Sequence, residues 1–511
     1  MSKSENSQLI INMIAQVGVF VISLGISIFL TPFIVKNLGV EAYGFVGLSN
    51  TIIGYMQIIT IALNSMAGRF ITIEYHKGDL SKANKYFSSV CFANCIFGAI
   101  VFFICMCILY YLELIVEIRD SLIPDVKLLF FILSINTVIS LIFNVYIVPP
   151  FIKNKLEITA LRNLLSSIIK VIVLVALFSL LTPKLWYIGI SALICTLYLV
   201  YANIIIKRKL TPELVVYVRD FNWTYVKEIM SSGFWNLINR VSVMLEKGFD
   251  LLLANWFISS YVMGLFSITQ QITIQIPHVI NLIGSSFAPS ITEYFAKGDY
   301  ENINRNVFKS IRIMSLLVII PLSIIYVYGD VFFSLWMPEQ NGKLLQLIAI
   351  LTTVDFIFGM PLEIFWNVFT ATNKVKVPAV IMVIVGLLTI STLLVLLSIF
   401  KETTAQILCL ASARMFWNTI KNLTFLPIYG AKCLNLKWNY FYKSMFMPII
   451  GIIISLLICQ LFRIFIMPKT WASFILVSFM TIVISVCIDG FFILKKEDIK
   501  YLFNKLNFSR I

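Results

Sequence analysis

Hydrophobic residues occur along this chain in long, nearly uninterrupted runs. Most runs reach the roughly 20 residues that an α-helix needs to cross the hydrocarbon core of a bilayer. Strands of a membrane barrel would instead alternate apolar and polar positions. The pattern predicts an all-α integral membrane protein with about 14 transmembrane helices, near residues 10–36, 41–66, 86–112, 124–150, 159–182, 186–206, 230–257, 260–288, 306–336, 344–372, 377–400, 403–428, 444–466 and 470–494.

Composition supports a chain that faces lipid over most of its surface. Hydrophobic residues make up 59% of the chain and charged residues 13%, whereas soluble domains carry about 25% charged residues. The net charge of +15 would suit nucleic acid, but the Lys and Arg residues lie in alternate short loops between apolar runs. Such asymmetry is typical of cytoplasmic loops, so we expect no nucleic-acid partner and both termini in the cytoplasm.

Few residues offer other chemistry. The nine cysteines show neither a disulfide nor a zinc spacing, and we expect them to serve as apolar packing residues. The first apolar run is longer than the core of a cleavable signal, so it is predicted to be a span. No P-loop, HExxH or GxSxG motif is present, so we expect no catalytic residues, no metal and no enzyme activity.

An internal repeat is the most informative feature. The segment 69–87 reads RFITIEYHKGDLSKANKYF, and the segment 289–307, exactly in register 220 residues later, reads PSITEYFAKGDYENINRNV. Each copy follows a second span and precedes a third. The repeat predicts two six-helix bundles of the same orientation, related by an axis along the membrane normal. We divide the chain into a bundle at 1–206, a cytoplasmic linker at 207–229, a bundle at 230–428, and a region at 429–511 with an extra helix pair near 444–494 and a basic cytoplasmic tail.

The phrase LGVEAYG at 38–44 and the phrase KGDLSKANKYF resemble the polysaccharide-biosynthesis flippases. These are the Wzx-type members of the multidrug/oligosaccharidyl-lipid/polysaccharide (MOP, MATE-like) exporter superfamily. The extra helix pair is similar to the fourteen-span branch that includes the lipid II flippase. The resemblance implies a bacterial inner-membrane flippase that moves undecaprenyl-pyrophosphate-linked oligosaccharide to the outer leaflet for O-antigen, capsule or exopolysaccharide. Its partners would be membrane lipid and polysaccharide assembly proteins.

Positive side chains within the predicted spans are candidates for binding such a substrate. Ionisable groups in a membrane usually face a cavity or a partner, and Arg and Lys both bind phosphate. We predict a cationic cavity shared by the two halves and lined by Lys170, Arg240, Lys247, Arg414 and Lys421. Two alternatives stay open: Lys247 forms a structural pair network with Glu246 and Asp250, or some of the positive groups reach water near helix ends.

Acidic and amide side chains within the spans suggest two further roles. Asp250, Asp355 and Glu363 are candidates for coupling to H⁺ or Na⁺, since intramembrane carboxylates carry such ions in transporters. Pairing with a basic neighbour is the alternative. The amides of Gln270, Gln271, Gln275 and Asn50 suit hydrogen bonds to a glycan, although such groups also join helices together.

Two competing functions remain from the sequence. A cation-coupled MATE-type drug exporter would share the architecture but should favour acidic cavity residues, against the basic bias here. An integral-membrane polysaccharide polymerase or ligase would need a large outward loop for its catalytic groups, and the predicted outward loops are short. The sequence leaves open the glycan, the coupling ion, the role of the last two helices and the oligomeric state.

Overall fold

The computed structural model describes residues 3–495 and residue 498. Side chains are described from Asn12 onward, apart from Met13, Ile14, Val17, Lys247, Leu282 and Met447. The predicted basic tail beyond residue 495 therefore lies outside the described residues, except for Asp498. Within the described part every regular element is a helix, and the predicted all-α fold class is confirmed.

The chain divides into two compact units, of which the first contains residues up to 244 and residues 251–267. Nine helices belong wholly to it: α1 (Lys3–Leu38), α2 (Val40–Met56), α3 (Ile58–His76), α4 (Leu80–Tyr110), α5 (Leu112–Ile115), α6 (Ile123–Ile142), α7 (Val148–Ile152), α8 (Leu156–Leu180) and α9 (Tyr187–Leu210). Three more helices contribute residues to both units: α10 (Trp223–Lys247), α11 (Asp250–Phe257) and α12 (Ser260–Thr273).

The second unit contains residues 245–250 and the chain from 268 onward. Its remaining helices are α13 (Gln275–Ser285), α14 (Ala288–Ala296), α15 (Tyr300–Trp336), α16 (Gly342–Leu351), α17 (Phe356–Gly359), α18 (Ile364–Ala371), α19 (Lys376–Ile399), α20 (Thr403–Cys433), α21 (Tyr442–Met445), α22 (Met447–Phe465) and α23 (Trp471–Ile493). Short 3₁₀ turns span Asp120–Leu122, Asn144–Ile147, Val218–Asp220 and Met360–Glu363.

In the described part of the chain, 9 helices are long and apolar enough to cross a membrane, or up to 11 if each of two bent pairs is one span. The bent pairs are α2 with α3, at 67°, and α16 with the stretch from Phe356 to Ala371, at 41°. Three more polar helical stretches, α10–α11, α12–α13 and α20, lie at the remaining predicted span positions. They contain most of the charges and amides singled out from the sequence.

Each unit has its own apolar core. In the first, α3 and α4 pack Leu63 and Phe87 against Leu214 and Val226, so the segment after α9 covers the ends of these helices. In the second, large rings from α18 and the segment before α21 pack around Val307 of α15. These clusters contain fully buried residues, while many apolar residues elsewhere on the helices are exposed. Exposure of that kind is expected where a surface faces lipid.

The two KGD turns have the same local structure. Gly78 and Gly298 both adopt a positive φ, 84° and 70°, which costs glycine little because it lacks a Cβ. Asp79 and Asp299 then cap α4 and α15 by accepting a hydrogen bond from the backbone N–H three residues later, as N-cap carboxylates commonly do. Hydrogen bonds from Asn302 hold the pKa of Asp299 below its usual value. The sequence repeat is therefore a structural repeat.

Equivalent positions of the two repeats also contact each other, within the first unit, where α2 packs on α12. A Cβ on Gly44 would lie 2.9 Å from the backbone N of Gly264, and one on Gly47 would lie 2.4 Å from Oγ of Ser267. Both pairs are 220 residues apart. Because 44 meets 264 and 47 meets 267, the two helices run in the same direction, as repeats of the same orientation require. Small residues at membrane helix contacts permit this close approach.

Replacing Gly264 by alanine should destabilise the first unit. The new Cβ would lie 2.3 Å from the carbonyl O of Val40, and overpacking of this kind costs about 1–3 kcal/mol. We expect a lower thermal unfolding midpoint for Gly264→Ala in detergent. Gly54→Ala is the matched control because no atom lies within 4 Å of its Cβ position. Equal midpoints for the two variants would contradict the close α2–α12 contact.

Candidate functional site

Helix α20 carries a polar stripe on one face. Asn418 follows Arg414 by four residues, and Lys421 and Asn422 follow Asn418 by three and four, which places all four on the same side of an α-helix. Arg414, Asn418 and Asn422 are buried and Lys421 is partly buried. The stripe packs against the end of α10, the start of α11 and the bend after α16, all within the second unit.

Arg414 and Asp250 form a buried ion pair. The Nη1 atom of Arg414 donates to Oδ2 of Asp250 over 2.7 Å, and its Nη2 atom donates to the carbonyl O of Thr352 over 3.2 Å. Arg414 is 8% exposed and Asp250 is 4% exposed. The structure therefore joins a residue predicted to bind substrate with one predicted to couple an ion. In this arrangement the carboxylate neutralises the guanidinium.

A second charged group lies further along α20, where its side chains meet the end of α10. Asn418 Nδ2 donates to Oε1 of Glu246 over 2.9 Å, and Lys421 Nζ donates to Oδ1 of Asn418 over 2.9 Å. Lys421 Nζ also lies 3.6 Å from Oε2 of Glu246. The network of Asp250, Glu246, Arg414, Asn418 and Lys421, here called the α20 network, thus contains two positive and two negative side chains. The side chain of Lys247 lies outside the described residues.

The other two predicted coupling carboxylates lie in the bent stretch that follows α16. Asp355 is 6% exposed and precedes α17, and its carbonyl O accepts a hydrogen bond of 3.4 Å from Nδ2 of Asn422. Gly359 makes room for that amide, since a Cβ there would lie 2.4 Å from it. The negative charge of Asp355 also acts on Arg414. Glu363 is partly buried in the 3₁₀ turn before α18. Of these two carboxylates, Asp355 therefore lies beside the α20 network.

Removing one partner of the Arg414–Asp250 pair should destabilise the protein more than removing both. An unpaired charge left in a buried site costs about 3–5 kcal/mol, whereas removal of both charges often costs much less. We expect Arg414→Gln and Asp250→Asn each to lower the thermal unfolding midpoint, and the double variant to recover much of that loss. Lys297→Gln, in an exposed ion pair with Glu293, should change little. Costs that simply add in the double variant would contradict the pairing.

The first unit places Arg240 in a different environment. Arg240 lies on α10 and is exposed, and no ion pair joins it to any residue in the described part of the chain. One turn earlier on the same helix, Asn236 Nδ2 donates to Oγ of Ser65 over 3.2 Å. Ser65 lines a polar cavity of about 320 Å³, whose other lining residues are Gln57, Thr60, Ile61, Asn64, Ser140, Leu141 and Asn144. Because residues four apart share a helix face, Arg240 is on the same face of α10 as Asn236, which contacts Ser65.

A further positive stripe lies on α8. Arg162, Ser166 and Lys170 are spaced four residues apart and share one face, and Cys195 of α9 donates to the carbonyl O of Ser166 over 3.2 Å. Arg162 is only 5% exposed, and its Nε and Nη1 atoms have no hydrogen-bond partner within residues 12–495 that have described side chains. The sequence prediction included Lys170 and missed Arg162. Its spacing of eight residues from Lys170 was the signal that could have found it.

The predicted glycan contacts are divided between the units. Gln270, Gln271 and Gln275 are partly buried in the second unit, where Gln275 Nε2 donates to the carbonyl O of Gln271 over 3.3 Å. Asn50 is exposed in the first unit and donates to the carbonyl O of Val46 in its own helix. Among the described residues, no group of three His, Cys, Asp or Glu side chains has a geometry suited to a metal ion.

The fold and its long apolar helices define a multi-pass membrane protein. Residues 8–295, more than half of the chain, match the family model described as polysaccharide biosynthesis protein, and the chain belongs to that family. A curated relative, the uncharacterized membrane protein EpsK of Bacillus subtilis (strain 168), is 27% identical over 473 residues, which cover 91% of each chain.

Solved structures of similar fold include two kinds of membrane protein. An inward-facing multidrug resistance MATE family transporter of the MOP superfamily matches with a TM-score of 0.67 and 12% identity, over 83% of this chain and 98% of its own. The lipid II flippase MurJ, in an inward closed conformation, matches with a TM-score of 0.65 and 14% identity, over 94% and 99%. The resemblance inferred from the sequence is confirmed at the level of the family, and the fold is similar to that of MOP superfamily proteins.

Proposed function

We propose that the protein flips undecaprenyl-pyrophosphate-linked oligosaccharide from the cytoplasmic to the outer leaflet of the bacterial inner membrane by alternating access. The glycan would serve O-antigen, capsule or exopolysaccharide synthesis, with both termini in the cytoplasm. The family supports a role in polysaccharide synthesis. The observation that carries the choice of an anionic substrate is the exposed Arg240, one helical turn from Asn236, whose amide bonds to Ser65 of a polar cavity.

The chemistry of this region suits the head group of such a lipid. A guanidinium can donate two parallel hydrogen bonds to a phosphate, and Arg240 has no carboxylate partner within the described part of the chain. The amides of Gln57 and Asn64 and the hydroxyls of Thr60 and Ser65 offer donors and acceptors to sugar hydroxyls. The apolar polyprenyl tail would remain among the lipid acyl chains, so moving the head group would not expose the tail to water.

Arg414 and Lys421 would take part differently, because carboxylates already neutralise them. We propose that the diphosphate competes with Asp250 for Arg414 during the cycle, so that substrate binding loosens the contact between α11 and α20. Lys170 and Lys247 remain candidates for the same cationic surface. The network also argues against a cation-coupled drug exporter. Both carboxylates of the network, Asp250 and Glu246, already have cationic partners.

The role of Arg240 can be tested in cells through surface glycan. We expect Arg240→Gln to reduce surface glycan by at least about tenfold, since one charge-assisted hydrogen bond to phosphate contributes about 1.5–3 kcal/mol. The variant should remain in the membrane at the wild-type level. Arg208→Gln, at an exposed position in the last turn of α9, is the matched control and should leave glycan unchanged. Normal glycan in Arg240→Gln would remove the phosphate-binding role.

We propose further that the cycle is coupled to H⁺ or Na⁺ through the acidic candidates Asp355, Glu363 and Asp250. Asp355 is the leading candidate because it is buried in a bent span beside the α20 network. A buried carboxylate that binds and releases a cation alters the local charge balance by one unit.

Coupling can be measured in proteoliposomes with an imposed H⁺ or Na⁺ gradient. We expect one of the two gradients to accelerate substrate movement in the wild-type protein, and Asp355→Asn to remove that acceleration. Asp299→Asn is the matched control, because asparagine also caps helices well. An equal response to the gradient in both variants would exclude Asp355 as the coupling residue.

A further inference from the structure

A basic cavity lies in the second unit, away from the α20 network. Its volume is about 630 Å³, and its lining residues are Arg305, Phe308, Arg312, Lys443, Ser444, Phe492, Ile493, Leu494 and Lys495. Four of these carry positive charge and none is acidic. The first turns of α15, the short α21, the end of α23 and the two residues after it supply them, so the cavity lies at one end of these helices.

An ion pair holds one of the cavity's arginines, Arg312, in place. Arg312 donates from Nε to Oδ2 of Asp498 over 2.6 Å and from Nη2 to Oδ1 over 3.0 Å. Asp498 is 1% exposed and also accepts a hydrogen bond of 2.9 Å from the backbone N–H of Lys495. This carboxylate therefore anchors the segment after α23 on α15 and holds the guanidinium in place. A guanidinium has five N–H donors, so some remain for a ligand.

The surroundings indicate that the ligand is a lipid. Phe492, which lines the cavity, is 55% exposed, and its neighbour Phe491 is 82% exposed. Along α22, Ile450, Leu457 and Ile464 are also largely exposed, as expected of a surface in contact with acyl chains. The loops at this end belong to the set that the positive-inside pattern predicts to be cytoplasmic. A cationic cavity thus adjoins an apolar surface at the predicted cytoplasmic interface.

We propose that this cavity binds the phosphate head group of an anionic membrane phospholipid, with the acyl chains against the exposed apolar surface of α22 and α23. Basic pockets between membrane helices on the cytoplasmic side are suited to such head groups. Its lysines, Lys443 and Lys495, are exposed and can reach a ligand without breaking the Arg312–Asp498 pair. The ligand is distinct from the transported glycan lipid, and its binding is measurable without transport.

The test uses the full-length protein in a mild detergent and counts retained lipids by native mass spectrometry. Phosphatidylglycerol is compared with phosphatidylcholine of the same acyl chains. We expect one phosphatidylglycerol to be retained preferentially, and Lys443→Gln/Lys495→Gln to weaken its binding by about tenfold or more, since each lysine near an anionic head group contributes about a factor of five.

The matched control is Lys432→Gln/Lys437→Gln, which removes two exposed lysines of the same unit that do not line the cavity. Its lipid retention should equal that of the wild type, and both double variants should keep the wild-type unfolding midpoint. Equal retention of the two lipids, or an equal loss in both double variants, would overturn the proposal. Displacement of the bound lipid by excess inorganic phosphate would also overturn it, because the cavity would then be a site for a soluble anion.

Discussion

Charge buried among membrane helices must be compensated, and this constraint shapes the second unit. Moving an unpaired ion from water into a low-dielectric interior costs several kcal/mol, so Arg414 and Lys421 are stable there only beside Asp250 and Glu246. The stripe on α20 fixes where the end of α10, the start of α11 and the bend after α16 must lie. Arg414 contacts two of these segments through one side chain, the start of α11 and the bend after α16. An ion pair of this kind can also act as a switch, because an anion that competes with Asp250 for Arg414 would weaken the pair.

In the first unit, two positive side chains within the helices have no carboxylate partner among the described residues. Arg240 is exposed, so water or a ligand can solvate it, whereas Arg162 is buried without a partner for two of its nitrogens within the described residues. Asn64 and Asn94 satisfy each other through two reciprocal hydrogen bonds of 3.1 and 3.0 Å. Arg240 and Arg162 are therefore positive side chains of this unit that form no ion pair with a described carboxylate. Under the proposed function they provide the attraction for a diphosphate.

Sequence patterns predicted the helical class, the repeat and the KGD turns because these depend on local periodicity and on residues close in the chain. The turn at Gly78 and that at Gly298 have the same capping geometry because both carry the same three residues. The partners of the charged residues could not be predicted. Asp250 and Arg414 are 164 positions apart in the chain, whereas residue spacing within one helix suggests only Lys247 as a partner for Asp250. The break between α10 and α11 was also missed, because apolar residues on both sides of it were assigned to one span.

The central claim is that this chain moves a polyprenyl-diphosphate-linked glycan across a bilayer. The most direct measurement reconstitutes the purified protein in liposomes that contain a fluorescent undecaprenyl-diphosphate oligosaccharide, and follows its accessibility to an external quencher. The account predicts that the wild-type protein accelerates exchange between leaflets, that Arg240→Gln does not, and that Arg208→Gln behaves as the wild type. Exchange no faster than in protein-free liposomes, or equal in wild type and Arg240→Gln, would contradict it.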